Sequence, residues 1–279
     1  MGLLGPLLAL GSAITWGIAD FSGGMLSRRL PSVAVVGMSQ ACSLVVLLLA
    51  LPLIPPADSW AWVPWSVVAG IGGSLALVCF YRALAFGTVG VVSPISALGA
   101  GVPVVAGLAG GEQPGPLQLA GIMVALAGAV LASGPELRGE EHVKAQAIWF
   151  AVAAAVGFGF TMLAIARGSA HSTMLTMVGM RTASVIAFGV TALVLHSIGG
   201  ITAADLPKLA LLGIADVTAN ALLGFATTMG LLSVTSVLSA LYPVVTVALA
   251  AVILHERMKP VQVTGVVLAF AGVALIAAG

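Results

Sequence analysis

The sequence predicts an all-α integral membrane protein of ten transmembrane helices, arranged as two inverted repeats of five helices. Three observations lead to this prediction: an apolar composition, ten apolar stretches of membrane-spanning length, and a polar motif that occurs twice. Hydrophobic residues make up 60% of the chain and charged residues 7%, whereas a soluble domain carries roughly 25% charged residues. The composition therefore excludes an ordinary soluble domain.

Each of the ten apolar stretches is long enough to form a membrane-spanning helix. A hydrocarbon core about 30 Å thick needs on the order of 20 apolar residues per helix. The stretches are continuous rather than alternating between apolar and polar residues, which favours helices over a β-barrel. We place the spans at 3–23, 32–54, 65–86, 88–110, 116–133, 146–168, 172–196, 207–230, 232–254 and 260–278.

The pattern E-x3-P-x-Q-x2-G shows that the chain is a duplication. It begins at Glu112 and again at Glu256, 144 residues later. The two halves still align at the first helix of each, where Gly17 matches Gly159. A polar pattern that recurs in both halves is typical of a scaffold, so we interpret both glutamates as structural residues near the starts of helices five and ten, where a carboxylate complements the positive helix end.

The most polar stretch of the chain separates the two repeats. We assign residues 1–133 to the first repeat, 134–145 to a polar linker and 146–279 to the second repeat. Each repeat has five spans, and because five is an odd number the second repeat enters the membrane from the opposite side. The sequence therefore predicts an inverted-topology repeat.

Composition and motifs exclude several classes of partner and cofactor. A formal net charge of +1 leaves no large charged patch, so no nucleic-acid partner is expected. The sequence contains no G-x4-G-K-[ST], H-E-x-x-H or G-x-S-x-G motif, which argues against ATP hydrolysis and against an enzyme. The adjacent Glu140, Glu141 and His142 belong to a solvated linker rather than a metal site. We expect no cofactor, no metal and no catalytic residue.

Several segments resemble the EamA-like family of the drug/metabolite transporter superfamily, and the resemblance covers essentially the whole chain. The segments are 81–87, 92–95 and 112–121 in the first half, and 236–241, 242–245 and 256–265 in the second. The resemblance implies a central cavity and a secondary transporter, often an exporter, of small metabolites such as amino acids, or of drugs. A lipid flippase and a membrane-embedded enzyme acting on a lipid-linked substrate are the alternatives.

The same resemblance implies a multi-pass protein of the plasma (inner) membrane that works by alternating access. Its expected partners are a small-molecule substrate, protons as a candidate coupling ion, and membrane lipid, with the chain acting as a monomer or homodimer. The resemblance also implies cytoplasmic termini. The excess of Lys and Arg on the connections that follow odd-numbered spans instead predicts that both termini lie outside. A reporter fused to the C-terminus would distinguish the two orientations.

Charged and polar residues inside the spans are candidates for substrate contact, because a charge there costs roughly 2.5 to 3.5 kcal/mol. In the repeat alignment these positions have uncharged counterparts, which an asymmetric ligand explains better than a repeated scaffold does. The alternatives are snorkelling for the two residues near span ends and an ion pair or polar bond between helices for the others. The residues are Asp20, Arg82, Arg181, Asp216 and Asn220.

A carboxyl at Asp20 or Asp216 that faces a cavity can bind a proton or the cationic group of a substrate. Asp216 and Asn220 are four residues apart and therefore share one helix face. Neutralising Asp216 is expected to abolish proton-coupled uptake in vesicles.

Hydroxyl and aromatic residues complete the predicted cavity. Their alternative roles are backbone hydrogen bonding for the serines and packing for the aromatic rings. Two prolines that interrupt backbone bonding inside spans, Pro94 and Pro243, are hinge candidates. The predicted lining residues are Trp16, Tyr81, Ser93, Ser96, Phe158, Ser236, Ser239 and Tyr242.

Overall fold

The chain forms helices throughout the part that its computed structural model describes. That part comprises residues 3–27, 29–86, 92, 95–134, 145–197, 199–255 and 258–279. The helices are α1 (Leu4–Ser27), α2 (Ser32–Ala50), α3 (Trp62–Phe86), α4 (Gly101–Ala109), α5 (Pro116–Ala132), α6 (Ala145–Leu195), α7 (Leu206–Met229), α8 (Leu232–Ser239), α9 (Tyr242–Ile253) and α10 (Pro260–Ala278). Three short 3-10 turns, Leu51–Leu53, Leu98–Ala100 and Ala203–Asp205, accompany them.

Some predicted features lie outside the described residues. They are Ser93, Pro94, Glu256, the start of the fourth span at 88–91, and 135–144 of the linker, together with the side chain of Tyr81.

Seven helical segments in the described part are long and apolar enough to cross a membrane. Two shorter apolar helices, Ile95–Ala109 and Pro116–Ala132, accompany them. Large apolar side chains such as Leu49, Leu193 and Phe270 are exposed, as is typical of a surface that faces lipid. The chain is thus a multi-pass membrane protein.

Helix α6 extends over 51 residues and contains the two helices that the sequence predicted, joined at a kink. At 1.5 Å per residue such a helix is about 77 Å long, more than twice the thickness of the hydrocarbon core. Ser172 interrupts it with an extended backbone (φ −166°, ψ 111°). The element therefore consists of a first limb, 145–171, and a second limb, 173–195, and the predicted connection before Ser172 is helical.

The predicted ninth span, 232–254, is also interrupted. Helix α8 ends at Ser239, and α9 begins at Tyr242 with Pro243 in its first turn. Proline is tolerated in a first turn because the N–H that it lacks would have no partner there. The break therefore lies immediately before the residue that was predicted as a hinge.

The first helix of each repeat packs on helices of the other repeat. α1 contacts α7 and α9, and the first limb of α6 contacts α3 and α4. In the repeat alignment α1 corresponds to the first limb of α6, α3 to α7, and α4 to α9. The same two contacts are therefore made twice, once in each half of the molecule.

Helices α5 and α10 join the two repeats through small residues. A β-carbon added to Gly121 would lie 2.8 Å from the carbonyl oxygen of Gly272, and one added to Gly128 would lie 2.9 Å from that of Gly265. The two helices run antiparallel, since residues early in α5 meet residues late in α10. Small residues allow this close approach of backbones. Gly121 and Gly128 of α5 thus form an interface between the repeats with Gly265 and Gly272 of α10.

Candidate functional site

Asp20 lies on the inward face of α1 and is nevertheless exposed. Ala9, Ala13 and Gly23 share that face at three- and four-residue spacing, and all three are buried. Trp16, one turn before Asp20 on the same face, is half-buried. Asp20 is therefore the accessible position in a stripe that otherwise packs against protein.

The opposite face of α1 is the one that faces lipid. Leu7, Ile14 and Ile18 form an exposed apolar stripe there. Because Asp20 lies on the other side of the helix, its exposure is to an opening inside the helix bundle.

Two residues of the second repeat lie close enough to interact electrostatically with Asp20. They are Asp216 on α7 and Tyr242 on α9. Tyr242 also packs edge-to-face on Trp16, with 6.2 Å between the ring centroids. We call Trp16, Asp20, Asp216 and Tyr242 the interior surface, which both repeats therefore build.

The backbones beneath this surface are in direct contact. The Thr246 hydroxyl lies 3.1 Å from the carbonyl oxygen of Tyr242 and 3.3 Å from that of Gly17, so it donates a hydrogen bond between α9 and α1. The hydroxyl of Ser12 donates to the carbonyl oxygen of Ala219 at 2.8 Å and ties α1 to α7. These bonds fix where α1 presents Trp16 and Asp20.

Asp216 forms an ion pair with Arg181 of the second limb of α6. The Arg181 side chain is 1% exposed and that of Asp216 is 34% exposed. Asn220 supports the carboxylate, since its Nδ2 donates to the Asp216 carbonyl oxygen at 2.6 Å and lies 3.3 Å from Oδ1. The two partners are therefore unequally exposed. The Arg181 guanidinium is enclosed in protein, whereas the Asp216 carboxylate reaches the interior surface.

Phe158, the predicted lining residue on the first limb of α6, has an aromatic partner that the sequence did not indicate. Phe158 packs edge-to-face on Phe80 of α3, with 6.0 Å between the ring centroids. Phe80 is one of many apolar residues on α3, and nothing in its local pattern distinguishes it.

Three of the predicted serines, Ser96, Ser236 and Ser239, are buried. Ser239 donates a hydrogen bond to the carbonyl oxygen of Ala9 at 3.2 Å, which again links the repeats. The hydroxyls of Ser96 and Ser236 are buried without a hydrogen-bond partner among the described residues. Their contact with substrate stays a prediction, and in this conformation they do not reach the interior surface.

Arg82 is exposed and stands in the last turns of α3, away from the Arg181 pair. This position fits the alternative in which its long side chain reaches the membrane surface. A role in substrate contact stays a prediction, as it does for Ser93 and Tyr81, and the hinge role of Pro94 also stays a prediction.

The duplicated motif builds helix starts and a bond between the repeats. Gln118 accepts a hydrogen bond from the backbone N–H of Gly115 at 3.0 Å, and Gln262 accepts one from Lys259 at 2.8 Å. The two glutamines therefore reach back over the first turns of α5 and α10 in the same way.

Glu112 caps a helix of the other repeat. Its carboxylate accepts hydrogen bonds from the backbone N–H groups of Leu232 and Ser233, the latter at 2.9 Å, at the start of α8. These N–H groups have no partner within the helix, and a carboxylate also complements the positive helix end. Glu112 thus lies near the start of α5 and has a structural role, as predicted, but the helix end that its carboxylate complements is that of α8.

Comparisons with known proteins agree with this architecture. A crystal structure of another protein superposes with a TM-score of 0.80 at 19% sequence identity, covering 98% of each chain, which shows a shared fold. No curated protein matches the sequence. A model of the EamA-like transporter family matches residues 3–134 and again residues 145–278. Since the two matches together cover nearly the whole chain, this protein belongs to the EamA-like transporter family.

Proposed function

We propose that this protein is a secondary-active carrier that exports a small metabolite or drug across the plasma membrane by alternating access. Family membership supports a membrane transporter. The observation that carries the proposal is the interior surface, where Asp20 of one repeat lies close enough to Asp216 and Tyr242 of the other to interact with them electrostatically. An accessible polar surface between two repeats is where a carrier of this kind binds its substrate.

The proposed membrane topology has ten spans in two inverted repeats, with residues 1–133 and 146–279 as the repeats and 134–145 as the linker. The two limbs of α6 then cross the membrane separately, because α6 is too long for one crossing. Helices α8 and α9 cross together despite the break between them. The duplicated contacts of α1 and of the first limb of α6 support this inverted arrangement.

In the proposed cycle the two repeats rock against each other around the interior surface. One feature suits such motion: the break before Tyr242, which lets α8 and α9 change their angle. Breaks of this kind at membrane depth are tolerated where they are enclosed in protein. A proton on the Asp20 or Asp216 carboxyl is the proposed coupling ion.

Uptake into proteoliposomes tests the carrier function. The full chain is reconstituted, and a panel of labelled anionic, zwitterionic, neutral and cationic metabolites is supplied with and without a pH gradient. We expect at least one solute to accumulate above the level in protein-free liposomes, and the pH gradient to change its rate. Product formation without accumulation would instead identify an enzyme, and no accumulation of any panel member would reject the carrier function.

A further inference from the structure

The interior surface carries one carboxyl group that no cation among the described residues pairs with. Asp216 is paired with Arg181. Asp20 has no hydrogen-bond donor or cation as partner among the residues that the structure describes. With all three groups ionised, two carboxylates and one guanidinium leave a net charge of −1 at this surface.

Aromatic rings stand beside this unpaired carboxylate. Trp16 precedes Asp20 by one helical turn on the same face of α1, and Tyr242 packs edge-to-face on Trp16 at 6.2 Å. A carboxylate beside the rings of Trp and Tyr is a combination that attracts an ammonium group, because charge and ring quadrupole act in the same direction.

The same surface offers little to a carboxylate ligand. Arg181 is only 1% exposed, so a substrate cannot reach its guanidinium, and Asp216 already balances its charge. An anionic or zwitterionic substrate would place its carboxylate near Asp20 and Asp216, with like-charge repulsion and no accessible cation among the described residues of this surface.

We propose that the interior surface binds the ammonium group of an organic cation, with Asp20 as counter-ion and the rings of Trp16 and Tyr242 packed against the cation. This inference rests on the proposed carrier function and names its substrate class: primary amines or quaternary ammonium compounds of metabolite or drug size. Asp216 is paired with Arg181, which balances its charge, so it does not pair with the ligand.

Equilibrium binding to the full chain in lipid nanodiscs tests this inference. The probes are labelled phenethylamine, tetraethylammonium and putrescine, with phenylalanine and 3-phenylpropionate as ring-matched ligands that carry a carboxylate. We expect at least one of the three cations to bind saturably and to outcompete both carboxylate ligands. Asp20→Asn is expected to weaken that binding about tenfold or more, the size of one charged contact.

Two control variants test whether binding depends on the negative charge at Asp20. Asp20→Glu keeps the charge and is expected to retain binding, whereas Asp58→Asn makes the same chemical change at an exposed carboxylate between α2 and α3 and is expected to leave binding unchanged. Binding of phenylalanine or 3-phenylpropionate as tight as that of the cations would overturn the inference. So would cation binding that Asp20→Asn leaves intact, or failure of all three cations to bind.

The ligand comparison uses the unmodified chain, so it remains decisive even where Asp20→Asn fails to fold. Flux in proteoliposomes then distinguishes the two proposals. Accumulation of an anion or zwitterion without any cation rejects the substrate class and keeps the carrier. Asp20-dependent cation binding without flux of any solute keeps the binding site and rejects the carrier.

Discussion

Gly17 of α1 lies directly against the backbone of Tyr242 in the other repeat. A β-carbon at Gly17 would be 2.9 Å from the Tyr242 carbonyl oxygen and 2.7 Å from Cγ1 of Val245. Gly159, the counterpart of Gly17, meets the carbonyl oxygen of Gly99, the counterpart of Tyr242, in the same way. The backbone contact is thus made twice, and only one copy carries a phenol. Asymmetric side chains on a symmetric scaffold create the interior surface.

This contact predicts a sharp difference between two glycines of α1. Gly17→Ala should lower the free energy of unfolding by about 1 to 3 kcal/mol, because the added methyl overlaps Val245 and the α9 backbone. Gly24→Ala, on the same helix with no atom within 4 Å of its added β-carbon, should be neutral or stabilising, since Ala favours a helix over Gly. Thermal unfolding of both variants in detergent measures the difference. Equal stabilities would show that α1 and α9 are not in close contact.

A second prediction concerns the opening at Asp20. In a background with Cys42 and Cys79 replaced by alanine, Asp20→Cys should react with a water-soluble cationic thiol reagent, because that side chain faces water inside the bundle. Ile18→Cys, 44% exposed on the lipid side of the same helix, should react much more slowly, since thiolate forms poorly in hydrocarbon. Labelling of the two variants in membranes is followed by mass spectrometry. Faster labelling of Ile18→Cys would place the opening elsewhere.

The duplicated architecture could be predicted from sequence because its signals are local. Apolar runs predict helices, and small residues at four-residue spacing predict close helix contacts, as Gly121 and Gly265 show. The alignment of Gly17 with Gly159 made these two positions equivalent, and the structure shows that both lie against a backbone of the other repeat. Such patterns need only the period of the α-helix and the repeat distance.

The partners of the polar residues depended on the three-dimensional fold. Asp216 and Arg181 were each identified as interior charges, but their pairing requires α6 and α7 to be neighbours. Glu112 was assigned to the start of the next helix in the chain, although it caps α8, 120 residues away. Helix-end chemistry predicts that a carboxylate meets free N–H groups, and only the fold decides which helix supplies them.

Because Arg181 is buried and Asp216 is partly exposed, we expect removal of either partner to lower the free energy of unfolding by a different amount. Asp216→Asn leaves an enclosed guanidinium without its counter-charge and should cost about 3 kcal/mol or more of unfolding free energy. Arg181→Gln leaves a carboxylate that water can reach at 34% exposure and should cost less. The double variant should recover part of the loss, which a double-mutant cycle in detergent measures.

The second ion pair of the described residues is a control for this prediction. Arg29 pairs with Asp205 but is 62% exposed. The enclosed Asp205 keeps hydrogen bonds from the backbone N–H and the hydroxyl of Thr202 when Arg29 is replaced, so Arg29→Gln should cost no more than about 1 kcal/mol. If Asp216→Asn lowers the free energy of unfolding by as little as Arg29→Gln does, the Arg181 guanidinium is hydrated.

The bond from Glu112 to α8 predicts a local change in hydrogen exchange. Glu112→Gln keeps one carbonyl oxygen but turns an amide NH2 towards an N–H group, so one buried donor at Leu232 or Ser233 loses its acceptor. The opening free energy of this helix start should fall by about 1 to 3 kcal/mol, and a peptide covering 231–239 should exchange faster. Gln113→Ala, an exposed neighbour in the same connection, should leave exchange unchanged. Glu112 belongs to the first repeat and α8 to the second. Unchanged hydrogen exchange in Glu112→Gln would therefore show that this bond between the repeats does not form.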